Sequence, residues 1–271
     1  MNTKKFSVAA VQMVASDDKA ANVREADHWI RKAAARGACV VALPEVFVWR
    51  GVKKQEREAA EPVPGPTSEW LAELARKLGI YLLGGSILEA ISGTTRAYNT
   101  SLLFGPDGSL LASYRKIHLF DVDLKEGVST RESKTRAAGN QVVVAETGLC
   151  PMGLSICYDL RFPELYRKMI VRGAQLIFVP SAFTAYTGMA HWKPLLRARA
   201  IENQAYVVAA AQFGKSPNSF ETHGHSMIVD PWGKVLAELA HGAGVIVAEV
   251  DLDYLTRVRT ELPCLEHLRL V

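Results

Sequence analysis

A chain of 271 residues with 49% hydrophobic and 22% charged residues suits one large domain that buries roughly three quarters of its unfolded surface. Lys plus Arg exceed Asp plus Glu by 32 to 28, and the basic residues are dispersed, so a net charge of +4 leaves no footprint for nucleic acid. Cysteines 39, 150, 157 and 264 lack C-x-x-C or C-x-x-H spacing, which argues against a structural zinc site and a dense disulfide framework, and no window holds the ~18 apolar residues of a membrane helix.

The first five residues run into a strand expected over 6–13, without the apolar stretch and cleavage site of an export signal, so a cytoplasmic protein with reduced thiols is expected. A helix is expected to begin near Asn22, with Val23, Ala26, Ile30, Ala33 and Ala34 as its apolar stripe. Gly37 stops it, and the apolar run 38–43 reads as a strand covered on both faces, ended by Pro44. After a loop at 62–66, the spacing of Trp70, Leu71, Leu74, Ala75 and Leu78 predicts a second helix, Gly79 caps it, and 80–83 is a strand. Strands at 98–104 and 110–114 flank Gly105-Pro106-Asp107-Gly108, and strands at 141–146 and 153–156 flank a turn at Thr147-Gly148. Hairpins therefore interrupt βαβ units in an α/β chain.

Arg31-Lys32, Arg36-Gly37-Ala38 and Pro44 recur in identical register as Arg167-Lys168, Arg172-Gly173-Ala174 and Pro180. Either two related halves are packed together, or a common helix-to-strand junction has been used twice by coincidence. In this register Ser181 stands where Glu45 stands in the first half.

Three reactive side chains follow strand ends: Glu45, Lys116 and Cys157. Ligand crevices in open α/β sheets lie outside the carboxyl ends of strands, which is where distant stretches of chain converge. Cys157 sits where a strand turns sharply before a helix at Pro163, so backbone N–H groups lie near the sulfur, and Arg161 adds positive potential that favours thiolate. Taken singly, each has an ordinary reading as well: a small buried cysteine, a solvated loop acid, a surface lysine on a strand edge. Glu132 either pairs with Lys116 or belongs to a charged loop.

Leu43-Pro44-Glu45, Tyr114-Arg115-Lys116-Ile117-His118-Leu119-Phe120 and Ile156-Cys157-Tyr158-Asp159-Leu160-Arg161-Phe162-Pro163-Glu164 resemble the three signatures of the nitrilase superfamily, in order and over nearly the full length. Tyr98-Asn99-Thr100-Ser101, Arg131-Glu132-Ser133-Lys134-Thr135, Thr187-Gly188-Met189-Ala190-His191-Trp192 and Gly224-His225-Ser226-Met227 resemble its Nit branch. The resemblance implies a four-layer αββα sandwich of two stacked mixed sheets, usually assembled as a dimer. It implies a Glu45, Lys116 and Cys157 triad with Glu132 as an additional catalytic-site glutamate, and a carboxamide substrate, with no metal or organic cofactor. Residues 195–212 look closer to deaminated-glutathione amidases than to ω-amidases, and Phe183 and Thr187 match positions that line the substrate pocket. Residues 262–269 stop before the basic, tyrosine-bearing tail common in the family, which puts the assembly in doubt.

The implied cycle has Glu45 take the thiol proton, Cys157 attack the amide carbon, and Lys116 with the Tyr158 backbone N–H hold the oxyanion, while Arg161 clamps a substrate carboxylate. Rival readings are a papain-type thiol enzyme using His118, His191, His223 or His225 with Asp159, a metal pair at His223-Gly224-His225, and a non-catalytic binding protein of the same fold.

Overall fold

In the computed structural model, residues 4–124, 128–216 and 220–270 are described; the opening Met1-Asn2-Thr3 of the sequence reading lies outside them. Helix Lys19–Ala35 starts three residues ahead of Asn22, because the Asp18 side chain accepts from Ala21 N at 2.9 Å and takes the N-cap role. Asn22 is instead buried inside the helix, where its amide donates to Ser16 O and Val48 O and accepts from Ser16 N. It ties the helix to the loop after the second strand. The second helix, Pro66–Leu78, has Pro at its first turn and a left-handed cap at Gly79, as its sequence dictates.

The apolar runs form two sheets. In the first, Lys5–Gln12, Val40–Ala42 and Tyr81–Leu83 are parallel neighbours; Gly244–Asp251 extends one side and Ala97–Phe104 the other, antiparallel. In the second, Met152–Leu154, Leu176–Phe178 and Tyr206–Ala209 are the parallel centre, flanked by antiparallel Val143–Ala145 and Ser226–Val229.

Strand alternation decides the layers. Val8, Ala10, Val40 and Ala42 share a core with Leu154, Phe178 and Val208 of the other sheet. Their chain neighbours Ala9, Val11 and Val41 pack with Ala26, Ile30, Leu71 and Leu74 of the helices outside. Helices Pro163–Val171 and Ala185–Asn203 cover the second sheet in the same way, through Met169, Ile170, Leu196 and Ala200. The result is the αββα sandwich. No helix among the described residues is long and apolar enough to cross a membrane.

The sequence repeat has a structural counterpart. Val40–Ala42 and Leu176–Phe178 hold the same place, each between two parallel neighbours. Each preceding helix ends on an arginine of nearly identical backbone angles, then a glycine at φ +84° (Gly37) or +93° (Gly173). That left-handed conformation is what makes glycine the fitting residue at both junctions.

Candidate active site

Pro44 ends the strand run, and the chain turns at Val46, held at φ +45° by the Ser86 hydroxyl that accepts from its N–H at 2.9 Å. This turn points Glu45 into the space between the sheets' ends. Cys157 makes a matching turn at φ +49° as the first residue of the 3₁₀ segment Cys157–Arg161, with its N–H donating to Pro180 O at 3.0 Å. A β-branched and a thiol residue in the left-handed region each cost on the order of 1 kcal/mol, which surrounding contacts must offset. Tyr158 follows in the first turn, where helix N–H groups have no partner inside the helix.

Lys116, at the end of Leu110–Arg115, is 2% exposed and lies between two carboxylates. Its Nζ is 3.0 Å from Glu45 Oε1 and 2.9 Å from Glu132 Oε2. An ammonium removed from water is tolerable only with such partners. Burial alone would lower its pKa, but Glu132 and then Glu45 outweigh that and hold it above the usual lysine range. Glu132 is likewise buried. Burial would raise its pKa, yet Lys116 and Arg136 draw it down to about 2. Its oxygens also accept from Arg136 Nη1 and from Phe120 N, both at 2.6 Å.

Glu45 is fixed on every side. Oε1 accepts from Asn99 Nδ2 at 2.8 Å, Oε2 accepts from Ala182 N at 2.8 Å, and its backbone carbonyl accepts from Gln212 Nε2 at 2.9 Å. Glu45 and Cys157 line one cavity, so the charge of the carboxylate acts on the thiol. Burial, followed by the Glu45 charge, pushes the thiol well above its ordinary pKa, against the opposing pull of Lys116. The resting sulfur is therefore protonated. A positioned base beside it is the chemistry that such a thiol needs.

Asp159, fully buried, joins the nucleophile turn to the Lys116 strand. It accepts from Ile156 N at 2.9 Å, Tyr114 OH at 2.7 Å and His118 N at 3.0 Å, so residues flanking Cys157 and Lys116 meet on one carboxylate. The His118 ring also sits 2.7 Å from Asp159 Oδ1 and stacks on Phe162 at 3.7 Å. The papain-type reading is thus half satisfied: Asp159 does orient a histidine, but the ionisable groups weighing most on the thiol are Glu45 and Lys116. His223 and His225 stack at 4.3 Å and His225 pairs with Glu238 at 2.8 Å; among the described residues no group of three or more His, Cys, Asp or Glu is arranged to hold a metal ion.

Cys157, Phe120 and Ala182 stand where two hollows meet. One is a cavity of about 950 Å³ lined by Glu45, Lys116, Glu132, Arg50 and a rim of lysines. The other is a narrow cleft of about 10 Å³ lined by Tyr158, Arg161, Phe183 and Thr187. The three residues expected to bind substrate are therefore together, beside the thiol but off the main cavity. Arg161 stacks over Phe183 at 5.0 Å and reaches His191 Nδ1 at 3.2 Å. Phe183 is packed on Trp192, and the Thr187 hydroxyl is bonded to Thr184, the N-cap of helix Ala185–Asn203.

Asn99, Arg136, Gln212 and the Ala182 N–H were not singled out from sequence. Asn99 and Gln212 carried a weak signal, as amides within or directly after apolar strand runs. Arg136 carried none, since it is recognisable only through Glu132 at 2.6 Å and Glu56 at 2.7 Å.

The model of the carbon–nitrogen hydrolase family matches residues 7–260. The chain is 44% identical to the omega-amidase NIT2 of Xenopus tropicalis over 96% of its own length and 93% of the relative's. It is 42% identical to the deaminated glutathione amidase of Synechocystis sp. (strain PCC 6803 / GT-S), over 97% of this chain and 98% of that one. Among solved structures, the C. elegans NitFhit protein superposes with a TM-score of 0.92 at 41% identity, covering 99% of this chain and 66% of that chain.

Proposed function

This chain belongs to the carbon–nitrogen hydrolase family, hydrolases acting on carbon–nitrogen bonds other than peptide bonds, and from that premise we propose that it is a cysteine-dependent amidase working through a thioester. Glu45 takes the proton from the Cys157 thiol as the sulfur attacks the amide carbon. The carbonyl oxygen becomes an oxyanion, held by Lys116 and the Tyr158 backbone N–H. Collapse breaks the carbon–nitrogen bond, and Glu45 returns the proton to the departing ammonia or amine. Water, deprotonated by the same carboxylate, then splits the thioester and frees the acid and the thiol. Glu132 keeps Lys116 charged and in place throughout, and Arg136 in turn holds Glu132. The observation that carries this reading is the buried ammonium of Lys116 between Glu45 and Glu132, with Cys157 lining the same cavity.

The substrate is the amide of a 2-oxo acid, foremost deaminated glutathione. Arg161 lines the narrow cleft next to the thiol together with Phe183 and Thr187, and its guanidinium has the fork that clamps a 2-oxo carboxylate bidentately. The 44% identity to an omega-amidase supports a second reading, a primary amide such as 2-oxoglutaramate. We place the enzyme in the cytoplasm as a homodimer or larger homo-oligomer. Tyr186, Met189 and Ile201, exposed along the outer helix, and Trp232 supply apolar surface for such an assembly.

The test is a panel of 2-oxo amides, with ammonia and amine release assayed and quenched reactions examined by intact mass. Turnover with an acyl adduct on Cys157 is the expected result. A folded protein that releases nothing and carries no adduct would instead be a binding protein of this fold.

A further inference from the structure

The cycle gives a task to Glu45, Lys116 and Glu132, and Arg136 holds the last of these; one further buried charge, Glu56, has none. Glu45, Lys116, Glu132, Arg136 and Glu56 stand in single file with alternating sign, at closest contacts of 3.0, 2.9, 2.6 and 2.7 Å in turn. Glu56 opens the short helix Glu56–Ala59 on the wall of the large cavity. Burial would raise its pKa, but Arg136 outweighs that and holds the carboxyl below its usual range, so Glu56 is charged. Its Oε1 accepts from Arg136 Nη2 at 2.7 Å, and its Oε2 accepts from Thr135 Oγ1 at 2.6 Å and Arg136 Nε at 3.2 Å.

Arg136 is thereby divided. One edge of its guanidinium lies on Glu56, while Nη1 donates to Glu132 Oε1 at 2.6 Å. The same Oε1 accepts from Lys116 Nζ at 3.2 Å, so guanidinium and ammonium share one oxygen. The place of the Lys116 ammonium is set by the balance between its two carboxylates, and whatever shifts Glu132 shifts that balance. Without the Glu56 charge, the whole guanidinium is drawn onto Glu132, whose grip on Lys116 loosens. The ammonium then moves toward Glu45, away from the forming oxyanion and onto the carboxylate that must accept the thiol proton. Buried pairs are little screened, so such a change is felt along the file.

We infer that Glu56 is a positioning residue of the amidase reaction, acting through Arg136 and Glu132 to fix where Lys116 stands between Glu45 and the oxyanion. This role rests on the proposed amidase cycle, which is what gives Lys116 an oxyanion to hold.

The test is kcat and KM on deaminated glutathione and on 2-oxoglutaramate, with the melting transition recorded for every variant. Glu56→Gln, isosteric and neutral, should lower kcat about tenfold, part of the roughly hundredfold that a misplacement of about 1 Å can cost, and should leave KM within about twofold. Arg136→Lys keeps the charge but has no planar fork to divide between two carboxylates; it should lower kcat at least as far, and it answers the question should Glu56→Gln not fold. Because Glu56 acts only through Arg136, Glu56→Gln/Arg136→Lys should be no slower than Arg136→Lys alone, whereas independent roles would multiply. An unchanged kcat in either single variant, a rise in KM alone, or multiplied losses in the double variant would overturn the role and leave the amidase reading intact. If the wild type hydrolyses neither amide, both fall.

Discussion

The two halves of the molecule share one local design and end in different chemistry. In each, a helix closes on arginine and a left-handed glycine, and a central parallel strand runs to a proline. From the first half emerges Glu45, whose carboxylate gathers Lys116, Asn99 and Ala182 N. From the second emerges Ser181, fully buried, whose hydroxyl turns back onto Val179 O at 3.1 Å. The difference teaches that the repeated αβ junction sets where a side chain arrives, while the partners waiting there decide whether it can be charged. The second half still contributes, because the residue after Ser181 donates its N–H to Glu45.

The sharpest way to break the comparison is to give the second half the first half's residue. Ser181→Glu places a carboxylate where, among the described residues, the wild-type side chain has only the Val179 carbonyl as its hydrogen-bond partner, and we expect a loss of about 3–5 kcal/mol in a denaturant titration, the toll of an unpaired buried charge. Were Ser181→Glu as stable as the wild type, the partners would not be what distinguishes the halves.

Next in size is Asp159, which couples the Cys157 turn to the Lys116 strand. Asp159→Asn swaps one acceptor oxygen for an N–H donor facing other donors, at about 1–3 kcal/mol of stability. Misplacing the two reacting groups should lower kcat about 10–100-fold with little change in KM. An unchanged kcat would show that the coupling does not position them.

Glu132 sharpens the electrostatic side. Its folded pKa, about 2, lies below its unfolded value of about 4.3, so its contribution to stability is complete above that value and is lost as pH falls through about 2. The gap in stability between wild type and Glu132→Gln should therefore narrow steadily as pH drops below about 4. A gap independent of pH would mean that the carboxylate's charge is not what holds Lys116.

Much of this was legible in the chain and some was not, for physical reasons. Glu45, Lys116 and Cys157 stand out because each lies within three residues of a strand's carboxyl end, and sheet geometry gathers strand ends. Asn99 and Gln212 do not, since their roles exist only through Glu45, 54 and 167 residues away, and Arg136 gains its role only once Glu132, four residues before it, and Glu56, 80 residues before it, are brought together. The start of helix Lys19–Ala35 was misread for a related reason: Asn22 has the chemistry of a cap, but its amide is engaged by Ser16 and Val48, and Asp18 does the capping.

The smallest expected effect probes the repeat itself. Gly37 and Gly173 both have positive φ and open space where a Cβ would go, so only backbone strain distinguishes alanine from glycine there. Gly37→Ala and Gly173→Ala should each cost about 1 kcal/mol, and by nearly the same amount. Clearly unequal costs would mean that the two junctions are not equivalent.

The account turns on whether a carboxylate, and not an imidazole, removes the thiol proton. The most direct measurement is kcat of Glu45→Gln beside His118→Gln, both checked for an unchanged melting transition. A fall of about a thousandfold or more for Glu45→Gln, with His118→Gln within about tenfold of wild type, is the predicted result. Glu45→Gln retaining most of its activity would contradict it.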